Sequence, residues 1–213
     1  DSLGLGQLFT VDSNGNPGGW LWNQLKTGVD TAEELRASLE QTDVWKDRFS
    51  VIVEQRQRQA AGEPTQVMTP QEVIEYENRA SQIMRQYGMP SWFYDEASDF
   101  NDLILNGQSI AEVESRIAGA YNTVANLDPA IKQTFRDFYG VGEGEGALAA
   151  YFLDPDRTEA QLEKVALASY AGSIGRDFGL DISRQDAELF SLYDKTPAGI
   201  VQDFTQMNAQ SLL

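Results

Sequence analysis

A helix-start signal that recurs along the chain constrains its fold more than any other sequence feature. Ser or Thr is followed three residues later by Glu at three places: Thr31 with Glu34, Thr69 with Glu72, and Ser109 with Glu112. In this capping box the hydroxyl accepts a hydrogen bond from the third helical N–H, and the Glu carboxylate accepts one from the cap residue's N–H. Each pair therefore predicts that a helix begins there.

Further signals divide the rest of the chain into helices. Weaker starts are Asp128 before Pro129, Thr158 with Gln161, Ser183 with Asp186, and Thr196 before Pro197. Helix-ending glycines follow several of the apolar stretches, at Gly62, Gly88, Gly107 and Gly179. Between these signals, apolar residues recur at helical spacing. The pattern predicts an all-α fold, an irregular multi-helix bundle of about eight to ten helices.

The first nineteen residues differ from the rest because they are rich in glycine and turn formers. Residues 8–11 suit a short strand, and the following DSNGNPGG suits turns. Asp12, Asn14 and Asn16 resemble the start of a calcium loop, but Pro17 stands where that loop needs glycine. We therefore predict a Gly-rich arm or linker over residues 1–19, which could lie on a neighbouring subunit. Because the sequence begins with Asp1 rather than Met, a fragment or a processed product is expected.

Residues 20–213 are predicted to form a single helical domain, with a possible internal boundary near residues 140–146. That stretch, GVGEGEG, is rich in glycine but lacks the Lys of a phosphate-binding loop. Its Glu143 and Glu145 would repel phosphate. A flexible connector is the preferred interpretation.

Composition excludes several classes of chemistry. The 213 residues include no His and no Cys, so His-based acid–base catalysis, thiolate nucleophiles and most zinc sites are excluded. The 33 acidic and 16 basic residues give a formal net charge of −17. This charge argues against direct nucleic-acid binding, since phosphates require Lys and Arg. No apolar run is long enough to span a membrane. We predict no cofactor and no metal site.

The acidic side chains leave two possible functions open, calcium binding and glycoside hydrolysis. The acidic side chains Asp95, Glu96, Asp99 and Asp102 could bind calcium, although acidic residues near a helix start more often favour the helix dipole. Paired carboxylates could hydrolyse glycosides, but nothing singles out two of the 33 acidic residues. No catalytic residue is therefore assigned, and an enzyme is the less favoured interpretation.

Aromatic side chains supply the candidate partner-binding residues. Three of them follow Pro90 in a row, and we expect this loop to pack down between helices on both sides. Two Trp residues beside the Gly-rich arm are expected to be partly exposed and to anchor a partner. The candidates are Trp20, Trp22, Trp92, Phe93 and Tyr94.

Three longer strings carry a family resemblance. They are residues 42–62 (TDVWKDRFSVIVEQRQRQAAG), residues 68–117 (MTPQEVIEYENRASQIMRQYGMPSWFYDEASDFNDLILNGQSIAEVESRI) and residues 138–157 (FYGVGEGEGALAAYFLDPDR). Over residues 30–180 the chain resembles structural proteins of bacteriophages, chiefly phages of actinobacteria and uncultured marine phages. Tail, tape-measure-like and internal or ejected virion roles are all implied by this resemblance. It supplies no catalytic residues to carry over.

The resemblance implies a virion structural or assembly protein, made in the host cytoplasm and acting through helix-face contacts. Its expected partners are other virion proteins and further copies of itself, with no membrane span and no direct contact with nucleic acid. The alternative is a virion-associated domain that degrades cell walls with paired carboxylates. A calcium-dependent binding module is a third hypothesis.

Overall fold

The structure is a computed structural model, which describes residues 3–28, 31–154, 159–192 and 196–211. Within these ranges it contains twelve α-helices, three short 3₁₀ helices and one two-stranded antiparallel sheet. The predicted all-α fold class is confirmed. None of the described helices is both long enough and apolar enough to cross a membrane.

The elements follow one another with short connections. The sheet pairs β1 (Thr10–Val11) with β2 (Pro17–Gly18), and Thr10 lies opposite Gly18. The 3₁₀ helices are Gly6–Leu8, Ser91–Phe93 and Ala97–Phe100. The α-helices are α1 (Gly19–Lys26), α2 (Ala32–Glu40), α3 (Asp43–Arg48), α4 (Ser50–Ala60), α5 (Pro70–Gln86), α6 (Asn101–Leu105), α7 (Ile110–Ala125), α8 (Pro129–Tyr139), α9 (Glu145–Leu153), α10 (Glu159–Asp177), α11 (Arg184–Leu192) and α12 (Pro197–Ser211).

The described helices outnumber the expected eight to ten, partly because the apolar stretch over residues 43–60 forms two helices rather than one. The backbone of Phe49, with φ −116° and ψ 40°, separates α3 from α4. The Phe49 side chain is fully buried, and its ring centroid lies 5.3 Å from that of Trp45. Apolar periodicity continues across such a break, so the sequence did not reveal it.

The predicted helix starts are confirmed by their hydrogen bonds. The Glu72 carboxylate accepts from the Thr69 N–H at 2.7 Å and hydroxyl at 2.8 Å, while Thr69 Oγ1 accepts from the Glu72 N–H at 3.3 Å. Ser109 and Glu112 form the same reciprocal box at 2.7, 2.7 and 3.3 Å. At Ser183 the hydroxyl accepts from the Asp186 N–H at 3.2 Å and donates to the Asp186 carboxylate at 2.6 Å. At Thr31, Asp128 and Thr196 the cap side chain accepts one hydrogen bond from a backbone N–H. The predicted start at Thr158 lies outside the described residues.

The predicted helix ends share one backbone motif. At the end of α5, the Gly88 N–H donates to the Arg85 carbonyl at 3.0 Å, and the Met89 N–H donates to the Met84 carbonyl at 3.0 Å. This Schellman pair requires a left-handed residue, and Gly88 supplies it with φ 67°. Equivalent pairs close α4, α6 and α10 at Gly62, Gly107 and Gly179.

Backbone contacts divide the chain into two compact units. Unit 1 comprises Asp1–Ile83 and Tyr94–Val113, and unit 2 comprises Met84–Phe93 and Glu114–Leu213. Helices α5 and α7 therefore contribute residues to both units. The candidate boundary at residues 140–146 falls inside unit 2. That residues 20–213 fold as a single domain stays a prediction.

Unit 1 has a core built around α3, α4 and α5. Its buried side chains include Trp45, Phe49, Ile52 and Val73. At its edge the Arg48 guanidinium donates two hydrogen bonds to the Glu77 carboxylate, at 2.8 and 2.6 Å. The same guanidinium lies over the Phe49 ring, 4.8 Å from its centroid. This two-pronged ion pair links α3 to α5, which are distant in sequence.

Unit 2 holds two clusters of buried apolar residues, both of which include α10. One cluster is Val124, Phe135, Leu148, Ala149, Tyr151 and Val165, and the other is Ala168, Ala171, Ala187, Ile200 and Phe204. Small residues of α10 permit close packing between helices. At Gly172, for example, a Cβ would lie 2.6 Å from the ring of Phe138 on α8.

The Gly-rich stretch at residues 140–146 is only partly the connector that was expected. Gly140 ends α8 in the left-handed conformation, and Gly144 is the N-cap of α9. Gly146 lies inside α9 and is buried, with its α-carbon against the backbone of Tyr87 and Gly88. The close approach of two backbone segments explains why glycine occupies this position.

Residues 92–94 were expected to pack down between helices on both sides. This expectation was wrong for Trp92, which is 56% exposed, and Phe93 and Tyr94 are only half-buried. Met89, 3% exposed, is buried instead. The Schellman turn at Gly88 explains the difference, because the residue after the left-handed glycine commonly packs back against the last helical turn. The 3₁₀ helix Ser91–Phe93 then carries the aromatic side chains outward.

Gly146→Ala is expected to destabilise the fold, by about 1–3 kcal/mol, because its Cβ would overlap the backbone of Tyr87 and Gly88. Gly119→Ala is the matched control, since a Cβ at this exposed position of α7 meets nothing within 4 Å. The control should stabilise the protein by about 0.5–1 kcal/mol, because alanine favours helix interiors over glycine. Urea denaturation of both variants measures these changes. Equal stability of the two variants would contradict the packing of Gly146.

The capping boxes predict an acid-sensitive part of the stability. Hydrogen bonds from the backbone N–H and the hydroxyl of Thr69 lower the pKa of Glu72, and those of Ser109 lower the pKa of Glu112. A lowered folded-state pKa stabilises the fold above the unfolded-state pKa, and this contribution is lost as pH falls through the folded-state value.

The wild-type chain should therefore have a higher urea midpoint than the Glu72→Gln/Glu112→Gln variant near neutral pH. The difference should shrink as the pH falls below about 4.5, the range where carboxylates protonate. Urea titrations at a series of pH values measure it. A difference that stays constant across this range would show that the carboxylates do not act as charged caps.

Candidate functional site

Three polar side chains of unit 2 surround Glu188 on α11. The Tyr139 hydroxyl donates to its carboxylate at 3.2 Å, while Lys164 Nζ lies at 3.6 Å and Arg184 Nε at 3.5 Å. Burial, followed by the nearby charge of Glu188, raises the pKa of Tyr139. Tyr139 therefore stays protonated and donates its hydrogen bond. The group links α8, α10 and α11 through ion pairs and a hydrogen bond, and it supplies no activated nucleophile.

Shifted carboxyl pKa values in the described residues all move downward. They belong to Asp12, Glu40, Glu72, Glu112, Asp137 and Glu145. At Glu145 the causes are a hydrogen bond from its own backbone N–H and then one from Lys132. A glycosidase needs a carboxylic acid whose pKa is raised by an apolar pocket. These carboxyls therefore do not support the paired-carboxylate alternative.

The acidic residues 95–102 are used partly for capping. Asp99 accepts a hydrogen bond from the Glu96 N–H at 2.9 Å, and the two residues form a capping box at the 3₁₀ helix Ala97–Phe100. In the part of the chain that the structure describes, no three acidic side chains are grouped so that they could hold a metal ion. Capping is thus the role that the structure shows for Glu96 and Asp99.

The Gly-rich arm of unit 1 encloses an apolar pocket of about 460 Å³, which we name the N-terminal pocket. Its lining residues are Leu3, Leu5, Gly6, Leu8, Phe9, Trp20, Leu21, Leu35 and Leu39. Gly19 allows the start of α1 to lie against the end of the 3₁₀ helix Gly6–Leu8, because a Cβ there would lie 2.8 Å from the Leu8 carbonyl oxygen. Its φ of 82° also favours glycine. The arm is therefore folded against α1.

Trp20 and Trp22 have different environments although both lie on α1 and both are half-buried. Trp20 lines the N-terminal pocket. The ring of Trp22 lies under the ammonium group of Lys26, 5.4 Å from its centroid. Two residues apart on a helix, the side chains point to different sides. Of the two, only Trp20 therefore contributes to the N-terminal pocket.

Trp92 and Phe93 contact each other at the surface of unit 2. Their ring centroids are 5.4 Å apart and their planes make an angle of 67°. This edge-to-face contact holds the exposed Trp92 ring in place. Tyr94 is half-buried and belongs to unit 1. Partner binding by these residues and by Trp20 and Trp22 stays a prediction.

Unit 2 contains a second apolar pocket of about 880 Å³. Its lining residues are Ala120, Thr123, Val124, Leu127, Ile131, Phe135, Phe152, Glu163, Lys164, Ala166, Leu167, Tyr170, Thr196 and Pro197. These residues come from α7 to α10, the α7–α8 connection and the start of α12. Sequence patterns do not reveal this pocket, because residues far apart in the chain form it.

Sequence reasoning also missed three exposed apolar residues near the arm. Phe9 is 48% exposed, Val11 is 56% exposed and Leu25 is 52% exposed. One signal could have revealed them, since residues 3–28 contain only one acidic and one basic side chain. A nearly uncharged stretch in such an acidic chain indicates a surface with a different use.

The chain matches no protein-family model, and no curated protein and no solved structure is significantly similar to it.

Trp92 and Trp45 form a matched pair for testing which aromatic side chains support the fold. Trp92→Ala should change the free energy of unfolding by less than about 1 kcal/mol, since the ring is largely in solvent. Trp45→Ala should cost about 3–5 kcal/mol, because the side chain is 2% exposed in the core of unit 1. Urea denaturation measures both. A large loss for Trp92→Ala would show that this ring serves the core after all.

Proposed function

We propose that this chain is a structural or assembly component of a bacteriophage virion and works through protein–protein contacts. One observation carries the proposal: among the described residues, two pockets are lined mainly by apolar side chains and the indole of Trp92 is exposed. Exposed Trp side chains are frequent anchors of protein interfaces.

The use of charged groups supports an assembly role over catalysis. Some carboxylates in the described part of the chain cap helices, as Glu72 and Glu112 do, and others pair with basic groups, as Asp137 does with Arg176. Such partners favour the charged form of a carboxylate and leave it a weak acid–base catalyst. The phage assignment itself is supported by the resemblance of residues 42–62, 68–117 and 138–157.

The net charge of −17 suits a particle protein that lies near packaged DNA without binding it. Contacts with other virion proteins, and with further copies of the chain, would then use the apolar surfaces. Trp92 with Phe93 is one such surface, and the N-terminal pocket with Trp20 is another.

The test is mass spectrometry of density-purified particles, with the copy number of the chain per particle. We expect a small fixed multiple for the wild type and a reduced copy number for Trp92→Ala. Met207→Ala is the control, because Met207 is 44% exposed on α12 and belongs to neither surface. Finding the chain only in the infected-cell lysate would overturn the virion assignment. Release of fragments from purified peptidoglycan would overturn the non-catalytic role.

A further inference from the structure

An apolar surface borders the N-terminal pocket on unit 1, and we name it the N-terminal apolar face. It consists of Phe9, Val11, Leu21 and Leu25. Three of them, Phe9, Val11 and Leu25, are each about half exposed, at 48%, 56% and 52%. Large aliphatic and aromatic side chains gathered in this way mark interaction surfaces.

Local geometry brings these residues to one side of the arm. The backbone of Phe9 is extended, with φ −122° and ψ 119°, and leads directly into β1. Phe9 and Val11 are therefore on the same side of the strand, with Thr10 on the other. On α1, Leu21 and Leu25 are four residues apart and share one face. The two rows meet at the N-terminal pocket, which both Phe9 and Leu21 line.

The arm is held in this conformation by its own hydrogen bonds. The Asp12 carboxylate accepts from the N–H groups of Asn14 and Asn16 at 2.9 and 2.8 Å, and from the Asn16 side-chain amide at 2.9 Å. The Asp12 N–H donates to the Asn16 carbonyl at 2.9 Å. A surface that is already ordered loses less conformational entropy on binding.

Charge distinguishes this face from the rest of the chain. Residues 3–28 contain one acidic side chain, Asp12, and one basic side chain, Lys26, whereas the whole chain has a net charge of −17. The Asp12 carboxylate is turned to its own loop, and the Lys26 ammonium lies over the Trp22 ring. The segment that supplies the N-terminal apolar face, residues 3–28, therefore has no net formal charge in a strongly acidic protein.

We infer that the N-terminal apolar face binds a second copy of this chain. A partner with the same negative charge is repelled at acidic surfaces, so it must dock where charge is absent. A basic protein would gain more from the acidic surfaces than from this face. Nucleic acids and anionic membranes would be repelled by the chain's overall charge. The biological meaning of this contact rests on the proposed assembly function.

If two acidic copies associate through apolar surfaces, their dimer becomes more stable as the salt concentration rises. Salt screens the repulsion between two acidic copies but leaves apolar contact intact. Sedimentation velocity of the full chain over a range of concentrations, at about 50 mM and about 500 mM NaCl, measures it. We expect a monomer–dimer equilibrium in which the dimer is favoured by the higher salt.

The variant Val11→Thr/Leu25→Gln removes apolar surface at exposed positions while keeping a β-branched residue in the strand and a good helix former in α1. We expect its dimer dissociation constant to rise by about tenfold or more. Leu189→Gln is the matched control, since Leu189 is an exposed leucine, 46% exposed, on α11 of unit 2. It should leave the equilibrium unchanged, and circular dichroism should show that both variants remain folded.

Three results would overturn the inference: a monomer at every concentration and both salt levels, a dimer that the N-terminal variant leaves unchanged, or a dimer that salt weakens. The last would show that ionic contacts drive association. A monomer in solution that is still found at fixed copy number in purified particles would refute this contact and leave the proposed function standing. A chain that dimerises in solution through this face but is absent from purified particles would support the contact and refute the proposed function.

Discussion

Helix ends are the constraint on which the rest of this structure depends. The chain forms many short helices, and each one leaves unpaired N–H groups at its start and unpaired carbonyls at its end. Reciprocal boxes at Thr69 and Ser109 satisfy the starts, and Schellman pairs at glycines such as Gly88 satisfy the ends. With both ends satisfied, short amphipathic segments can be packed without leaving buried polar groups unpaired.

The same requirement determines where close packing is possible. Ending α5 at Gly88 turns the Met89 side chain into the core, and the backbone there lies against Gly146 in α9. The approach is so close that no side chain fits between the two segments. Within unit 1, two hydrogen bonds from Arg48 to Glu77 join α3 to α5 beside the buried core of Trp45, Phe49, Ile52 and Val73. Both arrangements depend on single residues and tolerate little change.

Charged groups and apolar surfaces have separate roles in the function that we propose. Some carboxylates cap helices, as Glu72 and Glu112 do, and others pair with basic groups, as Asp137 does with Arg176. In the proposed assembly role, partners are recognised through apolar features: the two apolar pockets, the Trp92 ring and the N-terminal apolar face. Like charge then discourages contact with acidic partners elsewhere on the surface.

The sequence by itself determined the all-α class and most helix boundaries, because caps and glycine turns are made by residues three to five positions apart. It also indicated Trp20 and Trp22 as partly exposed. Only the tertiary structure decided that Trp92 is exposed and Met89 buried, that α3 and α4 are separate, and that five distant segments enclose a pocket in unit 2. Burial depends on which distant segments pack together, and local hydrogen-bond patterns do not contain that information.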